Sequence, residues 1–322
     1  MSGAQEVAAA LRRAGTVIAT SHVNPDGDGV GSLLAVTIFL TGEGKRVYSC
    51  LPEPWKYPPQ YAFLPGREDL VSPERLPESC DLFLALDCSN LSRLEPLERA
   101  FRNASLTVNV DHHEDNSLFA DVNYVDPAAS STAELVYRVA EAASWPLDAS
   151  SATCLYAGLV TDTGRFQHRN TTPEAFRLAA RMAEAGADIH KVAREIYESQ
   201  SLQYARLLGI ALHRARRLED LALVFSYITQ ADLEETGATL AETEDLIDHL
   251  RRVRGAGVVA LFKELADGSV RVSLRSGDGF EVGPIARDMG GGGHAMAAGY
   301  TFHGDLESSI DELVEALRSR HA

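Results

Sequence analysis

Over the first 186 residues, short apolar runs alternate with longer stretches of helical pattern. Residues 16–20, 46–50, 82–86 and 106–110 read as strands, with helices between them at 30–40 and 92–102. Strands apolar on both faces and separated by helices predict an α/β fold with a parallel sheet. Residues 52–65, rich in proline and aromatics, read as an ordered loop, and Asp126-Pro127 precedes helices at 132–143 and 149–160. Thr172-Pro173-Glu174 starts another helix, with threonine as N-cap and proline in the first turn, and Gly186 ends it. Residues 188–217 read as a helical connector ending in Arg214, Arg216 and Arg217. The period then changes to strand 221–228, helix 242–254 and strands 258–265 and 270–276, the last two joined by an Ala266-Asp267-Gly268-Ser269 turn. A short helix at 280–288, a glycine run and a final helix at 306–319 follow. The organisation expected is a parallel-sheet domain (1–187), a connector (188–217) and a smaller α+β domain (218–322).

Composition narrows the function. The chain has 322 residues, 45% hydrophobic and 24% charged, with a formal net charge of −16. That balance is globular and argues against a protein that coats duplex DNA, since such binders present basic stripes. It leaves room for a small phosphorylated substrate if bound cations supply local positive charge. The N-terminus lacks the form of a signal peptide, and no apolar run approaches the roughly eighteen residues a spanning helix needs. Cys50, Cys80, Cys88 and Cys154 show no Cys-x-x-Cys spacing, which argues against a thiolate zinc site or a disulfide framework. The expectation is a cytoplasmic protein without membrane association.

Chemistry gathers where strands end. The first runs into His22, Asp26 and Asp28, the third into Asp87, and the fourth into Asp111-His112-His113. The carboxyl ends of parallel strands share one edge, where ligands usually bind. Asp162, in Thr161-Asp162-Thr163-Gly164, closes an apolar helix. Singly, each has a plain structural reading: Asp87 as a cap, Asp26 and Asp28 as turn residues, Asp162 as a helix end, His22 as a hydrogen-bonded ring near a core. Jointly they point to metal, because carboxylates this crowded repel unless a cation lies between them. Oxygen and imidazole donors without thiolates suit Mn²⁺ or Mg²⁺, and the imidazoles tilt the choice to manganese. Four aspartates and two histidines exceed the needs of one ion, so two are expected, sharing one carboxylate. Two ions roughly 3.5–4 Å apart would hold a hydroxide and neutralise a phosphoryl group.

The set Asp111-His112-His113, His22-x-x-Pro25-Asp26-x-Asp28-x-x-Gly31-Ser32, Asp87 and Thr161-Asp162-Thr163-Gly164 resembles the DHH phosphoesterase superfamily. Gly290-Gly291-Gly292-Gly293-His294-x-x-Ala297-Ala298-Gly299 is similar to the companion DHHA1 module. Within the superfamily, the two-domain size resembles the small oligoribonucleases (nano-RNases) that also act as 3′-phosphoadenosine-5′-phosphate phosphatases. The resemblance implies one ion on His22, Asp26 and Asp87, and another on Asp28, Asp87, His112 and Asp162. It implies that Asp111 orients a histidine and that His113 faces the scissile phosphate as charge stabiliser or proton donor. Mn²⁺ is the implied metal, with Mg²⁺ or Co²⁺ as substitutes.

The same resemblance implies that Arg275, Ser273, Gly291, Gly292, Gly293 and His294 clamp the phosphate remote from the cut, through a guanidinium and closely approaching backbone N–H groups. Gly277 and Ala295 stand near positions where many relatives carry a basic residue, which leaves more of that charge to Arg275 and His294. No Cys-His or Gly-x-Ser-x-Gly arrangement offers a covalent route. Gly27-x-Gly29 is no dinucleotide fingerprint, because two aspartates would face the pyrophosphate. The activity expected is Mn-dependent hydrolysis of short single-stranded RNA or DNA to mononucleotides, and of 3′-phosphoadenosine-5′-phosphate to AMP and phosphate, in a cleft between the domains. Rivals are a cyclic or linear dinucleotide phosphodiesterase, a RecJ-like single-strand exonuclease and, from another class, a non-catalytic nucleotide sensor. A homodimer is compatible with the sequence.

Overall fold

The computed structural model describes residues 3–53, 57–277, 280–293 and 295–321. The chain divides into two compact units, Met1–Ser199 and Gln200–Ala322. The first contains α1 (Gly3–Arg13), β1 (Thr16–Thr20), α2 (Gly27–Gly42), β2 (Arg46–Cys50), β3 (Leu82–Leu86), α3 (Glu98–Arg102), β4 (Thr107–Asp111), β5 (Val122–Val125), α4 (Thr132–Ala143), α5 (Ala149–Asp162), α6 (Pro173–Glu184) and α7 (Ile189–Ala193). Its five strands form an all-parallel sheet in the order β2-β1-β3-β4-β5. Every residue of β3 and β4 is buried, as expected for strands covered on both faces. The strand order reverses between β1 and β3, so the crevice beyond their carboxyl ends is where such a sheet takes ligands.

The second unit contains α8 (Leu202–His213), β6 (Arg216–Leu218), β7 (Leu223–Ile228), α9 (Gln230–Thr236), α10 (Leu246–Leu250), β8 (Val258–Glu264), β9 (Val270–Ser276), α11 (Gly283–Asp288), β10 (Gly292–Gly293), β11 (Ala297–Phe302) and α12 (Leu306–His321). Its sheet is mixed, in the order β10-β11-β9-β8-β7-β6, with only the β7–β8 pair parallel. One core packs Val258, Ala260, Phe262, Val272 and Leu274 with Leu313 and Leu317 of α12. Another packs Val259 and Leu261 with Leu207, Leu246 and Leu250.

Several expected elements differ. The helix expected at 92–102 is a 3₁₀ turn, Leu91–Leu94, and a separate α3, because Pro96 lacks the N–H a continuous helix needs there. Residues 188–217 are not one helix. They hold α7, a π-type turn at Arg194–Glu198, then α8 and the edge strand β6, which carries Arg216 and Arg217. Arg214 caps α8 and pairs with Asp232 at 2.8 Å, so this part of the basic cluster is internally satisfied. The helix expected at 242–254 is confined to Leu246–Leu250, after the 3₁₀ turn Leu240–Thr243. α1, β5, β6, α9, β10 and β11 add to the expected elements; β5 is half-buried and four residues long, which weakens its strand signature.

The N-terminal core depends on close approach between two apolar helices. A β-carbon at Gly31 of α2 would lie 2.3 Å from the Cys154 carbonyl oxygen and 3.0 Å from the Gly158 nitrogen of α5. Gly31→Ala would gain about 1 kcal/mol of helix propensity, but the clash with backbone is larger. We expect a net loss of about 1–3 kcal/mol in urea unfolding. A mutant at least as stable as the parent would show that the α2–α5 spacing is not limiting.

Candidate metal centre

β1, β3 and β4 end in register, with Thr20 beside Ala85 and Leu86 beside Val110. Asp87, the residue after β3, adopts a left-handed backbone (φ 57°), uncommon for a residue with a Cβ and a turn that takes the chain out of the sheet. Its N–H still donates to the Val110 carbonyl at 3.0 Å. After β1, Asp26 is the N-cap of α2, and its Oδ1 accepts from the N–H groups of Asp28 (3.0 Å) and Gly29 (3.1 Å). Asp28 therefore lies in the first turn of a buried helix, and its carboxylate is buried with it.

The Asp28 carboxylate meets the N-terminus of α4. Its Oδ2 accepts from the Thr132 N–H at 2.6 Å and its Oδ1 from the Ala133 N–H at 2.8 Å. These are groups a helix leaves unpaired, and the positive end of the helix dipole favours an anion there. The Thr132 hydroxyl donates to Asp87 Oδ1 at 2.9 Å. Asp162, at the end of α5, accepts at Oδ2 from the Asn170 amide at 2.8 Å. Asp111 is buried at the end of β4; it accepts from Asn116 (2.6 Å) and the His112 N–H (2.9 Å), and holds His113 Nδ1 at 2.7 Å.

Three imidazoles face these carboxylates. His22 Nε2 lies 3.5 Å from Asp87 Oδ2. His112 Nε2 lies 3.7 Å from Asp87 Oδ1, 3.7 Å from Asp162 Oδ2 and 3.9 Å from Asp28 Oδ2. His113 Nδ1 is 3.7 Å from Asp87 Oδ1. Donor atoms form three groups, each within 4.8 Å: His22, Asp26 and Asp87; Asp28, His112 and Asp162; and Asp87, His112 and His113. All six residues expected to bind metal are thus in one place, together with His113. The third group offers His113 a ligand position as well as the phosphate-facing role expected of it. The donors are oxygens and imidazole nitrogens, while Cys88 Sγ donates away to the Asn90 carbonyl at 3.1 Å. This set fits hard or borderline divalent cations.

Crowding perturbs the titrations. Burial, with the Asp87 and Asp162 carboxylates, pushes Asp28 well above the usual range. Burial, Asp87 and Asp26 push Asp162 up to about 8. Burial also acts to raise Asp87, but the hydrogen bond and charge of His22, with His113 and His112, hold it below its ordinary value. The hydrogen bond to Asp111 lifts His113 to about 9 against burial. For His22, burial is the largest influence and opposes protonation, yet Asp87 and Asp26 leave its pKa raised.

Of the residues expected to clamp substrate, Ser273 and Arg275 lie on β9, on the face opposite Val272 and Leu274 of the core. Arg275 donates to its neighbour's carbonyl, Leu274 O, at 3.0 Å. Gly299 of β11 pairs with both Ser273 and Gly292, and Arg275 pairs with Ala297. The structure thus places Arg275 and Ser273 on β9 and Gly292 on β10, with β11 between the two strands. Gly292 and Gly293 are strand rather than free loop. A β-carbon at Gly293 would lie 2.5 Å from the Ala297 carbonyl oxygen, and its φ of 134° excludes most side chains. Gly291 precedes that strand, and His294 lies outside the described residues.

Thr132, Asn116 and Asn170 donate to the cluster's carboxylates, and Arg93 Nη2 lies 2.7 Å from His22 Nδ1; none of the four stands out in the sequence. Ser131, whose hydroxyl accepts from the Glu134 N–H at 3.2 Å, carries a readable signal in Ser131-x-x-Glu134, a helix-start pattern. The contacts that start this helix to the Asp28 carboxylate have no local signature.

The DHH family, N-terminal domain, matches residues 16–159, and the DHHA1 domain matches residues 221–321. A Thermus thermophilus protein named bifunctional oligoribonuclease and PAP phosphatase NrnA is 33% identical over 94% of this chain and 90% of its own length. A Bacillus subtilis protein of the same name is 28% identical over 89% of this chain and 90% of its own. The crystal structure of an exopolyphosphatase-related protein from Bacteroides fragilis shares the fold, with a TM-score of 0.90 at 23% identity, covering 98% of this chain and 96% of that one.

Stability in a chelator follows from the perturbed carboxylates. Asp28 and Asp162 hold protons in the folded state to higher pH than the ordinary 3.8, so folding weakens as pH rises from there toward about 8. His113 acts in the same direction, its contribution complete below pH 6.5 and lost as pH rises through about 9. The melting temperature in chelator is expected to fall by several degrees between pH 6.5 and about 9, and Asp162→Asn to flatten that fall. A profile level in pH for the parent chain would contradict the electrostatics described. The matched domains and the near-full-length relatives together establish that this chain belongs to the DHH family and is a hydrolase.

Proposed function

We propose that this chain hydrolyses short single-stranded oligonucleotides to mononucleotides and removes the 3′-phosphate of 3′-phosphoadenosine-5′-phosphate, using two divalent cations, Mn²⁺ by preference. The observation that carries the reading is the convergence of His22, Asp26, Asp28, Asp87, His112 and Asp162 at one sheet edge. The relatives named for both activities over nearly their whole length support the choice of substrates. His22, Asp26 and Asp87 would hold one ion, and Asp28, His112, Asp162 and a shared Asp87 the other. Bound there, the ions supply Lewis-acid charge that acidifies water and neutralises phosphoryl oxygens.

The remaining roles fall to the chain's own groups. Asp111 fixes the His113 ring through Nδ1, leaving Nε2 to donate a hydrogen bond or proton to the leaving oxygen. Thr132, Ala133 and Asn170 lock the ligand carboxylates by hydrogen bonds, which limits the reorganisation the reaction demands. On the second unit, Arg275, Ser273, His294 and the backbone of Gly291, Gly292 and Gly293 would grip the phosphate remote from the cut. In this reading residues 1–187 are the catalytic domain, 188–217 a connector and 218–322 the substrate domain. Four free, buried thiols fit a reducing cytoplasm. Among the described residues no helix is long and apolar enough to cross a membrane.

Two measurements test the reading. End-labelled RNA and DNA of two, five and twenty nucleotides, and 3′-phosphoadenosine-5′-phosphate, are incubated with Mn²⁺ or Mg²⁺ and the products resolved. Mononucleotide release fastest on the shortest strands, and phosphate release from the bisphosphate, are expected. Asp87→Ala should lose more than about a thousandfold in kcat, roughly 4 kcal/mol of transition-state stabilisation. Near-parental turnover by that variant, or tight nucleotide binding by the parent without turnover, would sink the mechanism. Arg275→Ala should raise KM about tenfold at nearly constant kcat; a change confined to kcat would remove Arg275 from the remote clamp.

A further inference from the structure

Arg93 stands beside the carboxylate cluster and has no role in the reading above. It belongs to the 3₁₀ turn Leu91–Leu94 that follows β3, and the buried Leu94 anchors that turn. Its carbonyl accepts from the Val23 N–H at 2.9 Å, which ties the turn to the loop carrying His22. The backbone is thus held by both neighbours of the site, while the side chain is half-buried. Among the described residues it pairs with no carboxylate, although Asp26 and Asp87 flank the His22 ring it touches.

The contact it makes instead is informative. Arg93 Nη2 lies 2.7 Å from His22 Nδ1, and the same nitrogen lies 2.8 Å from the Val23 carbonyl oxygen. A guanidinium only donates and a carbonyl only accepts. The first contact needs Nδ1 without a proton and the second needs Nδ1 with one, so the two exclude each other. When Nδ1–H donates to Val23, the Nε2 lone pair is free beside Asp87, the form in which a histidine serves as a ligand. In that form Nδ1–H repels the guanidinium, which must turn elsewhere from a fixed backbone. An anion at the cluster is the partner its planar fork is suited to.

We propose that Arg93 is a phosphate-binding residue of this site, released from His22 when His22 acts as a ligand and donating then to non-bridging oxygens of the phosphoester being cut. The proposal rests on the phosphoesterase reading and adds to it a guanidinium that contacts the phosphate being cut. A merely structural Arg93 would steady the His22 ring and act through metal affinity.

The full-length chain with Arg93→Gln, and with Arg93→Lys, separates these roles. The readouts are the inhibition constant of inorganic phosphate, KM and kcat on a dinucleotide, and calorimetric affinity for Mn²⁺. Arg93→Gln is expected to raise the phosphate inhibition constant and KM about ten- to a hundredfold. Arg93→Lys, which keeps the charge without the fork, should give a several-fold rise, and Mn²⁺ affinity should stay within about threefold in both. Unchanged phosphate inhibition in both variants overturns the proposal, as does Mn²⁺ affinity that falls in step with KM. If Arg93→Gln fails to fold, the same outcomes are read from Arg93→Lys. If the parent chain hydrolyses neither substrate, the functional reading fails instead, and calorimetric binding of inorganic phosphate to the Mn²⁺-loaded chain and its Arg93 variants still decides the role of Arg93.

Discussion

The repulsion among Asp28, Asp87 and Asp162 is the constraint around which the N-terminal unit is arranged. Two carboxylates about 4 Å apart repel by about 4 kcal/mol at the dielectric typical of partly buried sites, and Asp28 and Asp87 are both buried. The fold answers with donors. The first turn of α4 offers two N–H groups to Asp28, Thr132 reaches Asp87, and Asn170 reaches Asp162. Three imidazoles fill the remaining directions. Neutral donors orient carboxylates without cancelling their charge, and burial, with the neighbouring carboxylates, keeps Asp28 and Asp162 raised. Divalent cations are the proposed answer to that residual charge.

Topology delivers the ligands to one edge. The order β2-β1-β3-β4-β5 sets β1 beside β3 and β3 beside β4, so residues 22–28, 87 and 111–113 emerge side by side. Asp87 emerges in a left-handed conformation that most residues avoid, at the position where its carboxylate faces both His22 and His112. Helix α5 brings Asp162 to Asp28 at the start of α2, and the approach of the two helices depends on the absence of side chains at Gly31 and Gly158.

In the second unit, the glycines expected to bring backbone N–H groups close to a phosphate include two that form a strand. Gly292 and Gly293 extend the sheet, and the backbone spacing at Gly293 leaves no room for a β-carbon. Arg275 and Ser273 both lie on β9, beside Val259 and Leu261 of β8, on the face opposite Val272 and Leu274. Gly291 and Gly293 are therefore required by backbone packing, while a β-carbon at Gly292 would meet open space.

Residue identity and local pattern alone determined the parallel α/β class, the strand ends bearing Asp87 and Asp111-His112-His113, and the clustering of hard metal donors. Strand burial and the alternation of strands with helices are local properties, so they are written in consecutive residues. The broken helix at 92–102 and the composite segment 188–217 are less legible, because their local break signals, Pro96 in one and the N-cap Ser201 in the other, are single residues in otherwise helical sequence. Short edge strands such as β5, four half-buried residues, and β10, two glycines, are too brief to show a strand period. Only the tertiary structure decided which groups support the ligands: Thr132 and Ala133 stand 104 and 105 residues from Asp28, and Arg93 stands 71 from His22. No periodicity links positions so far apart; a hydrogen bond between them exists only once sheet order and helix packing have brought the two chain segments together.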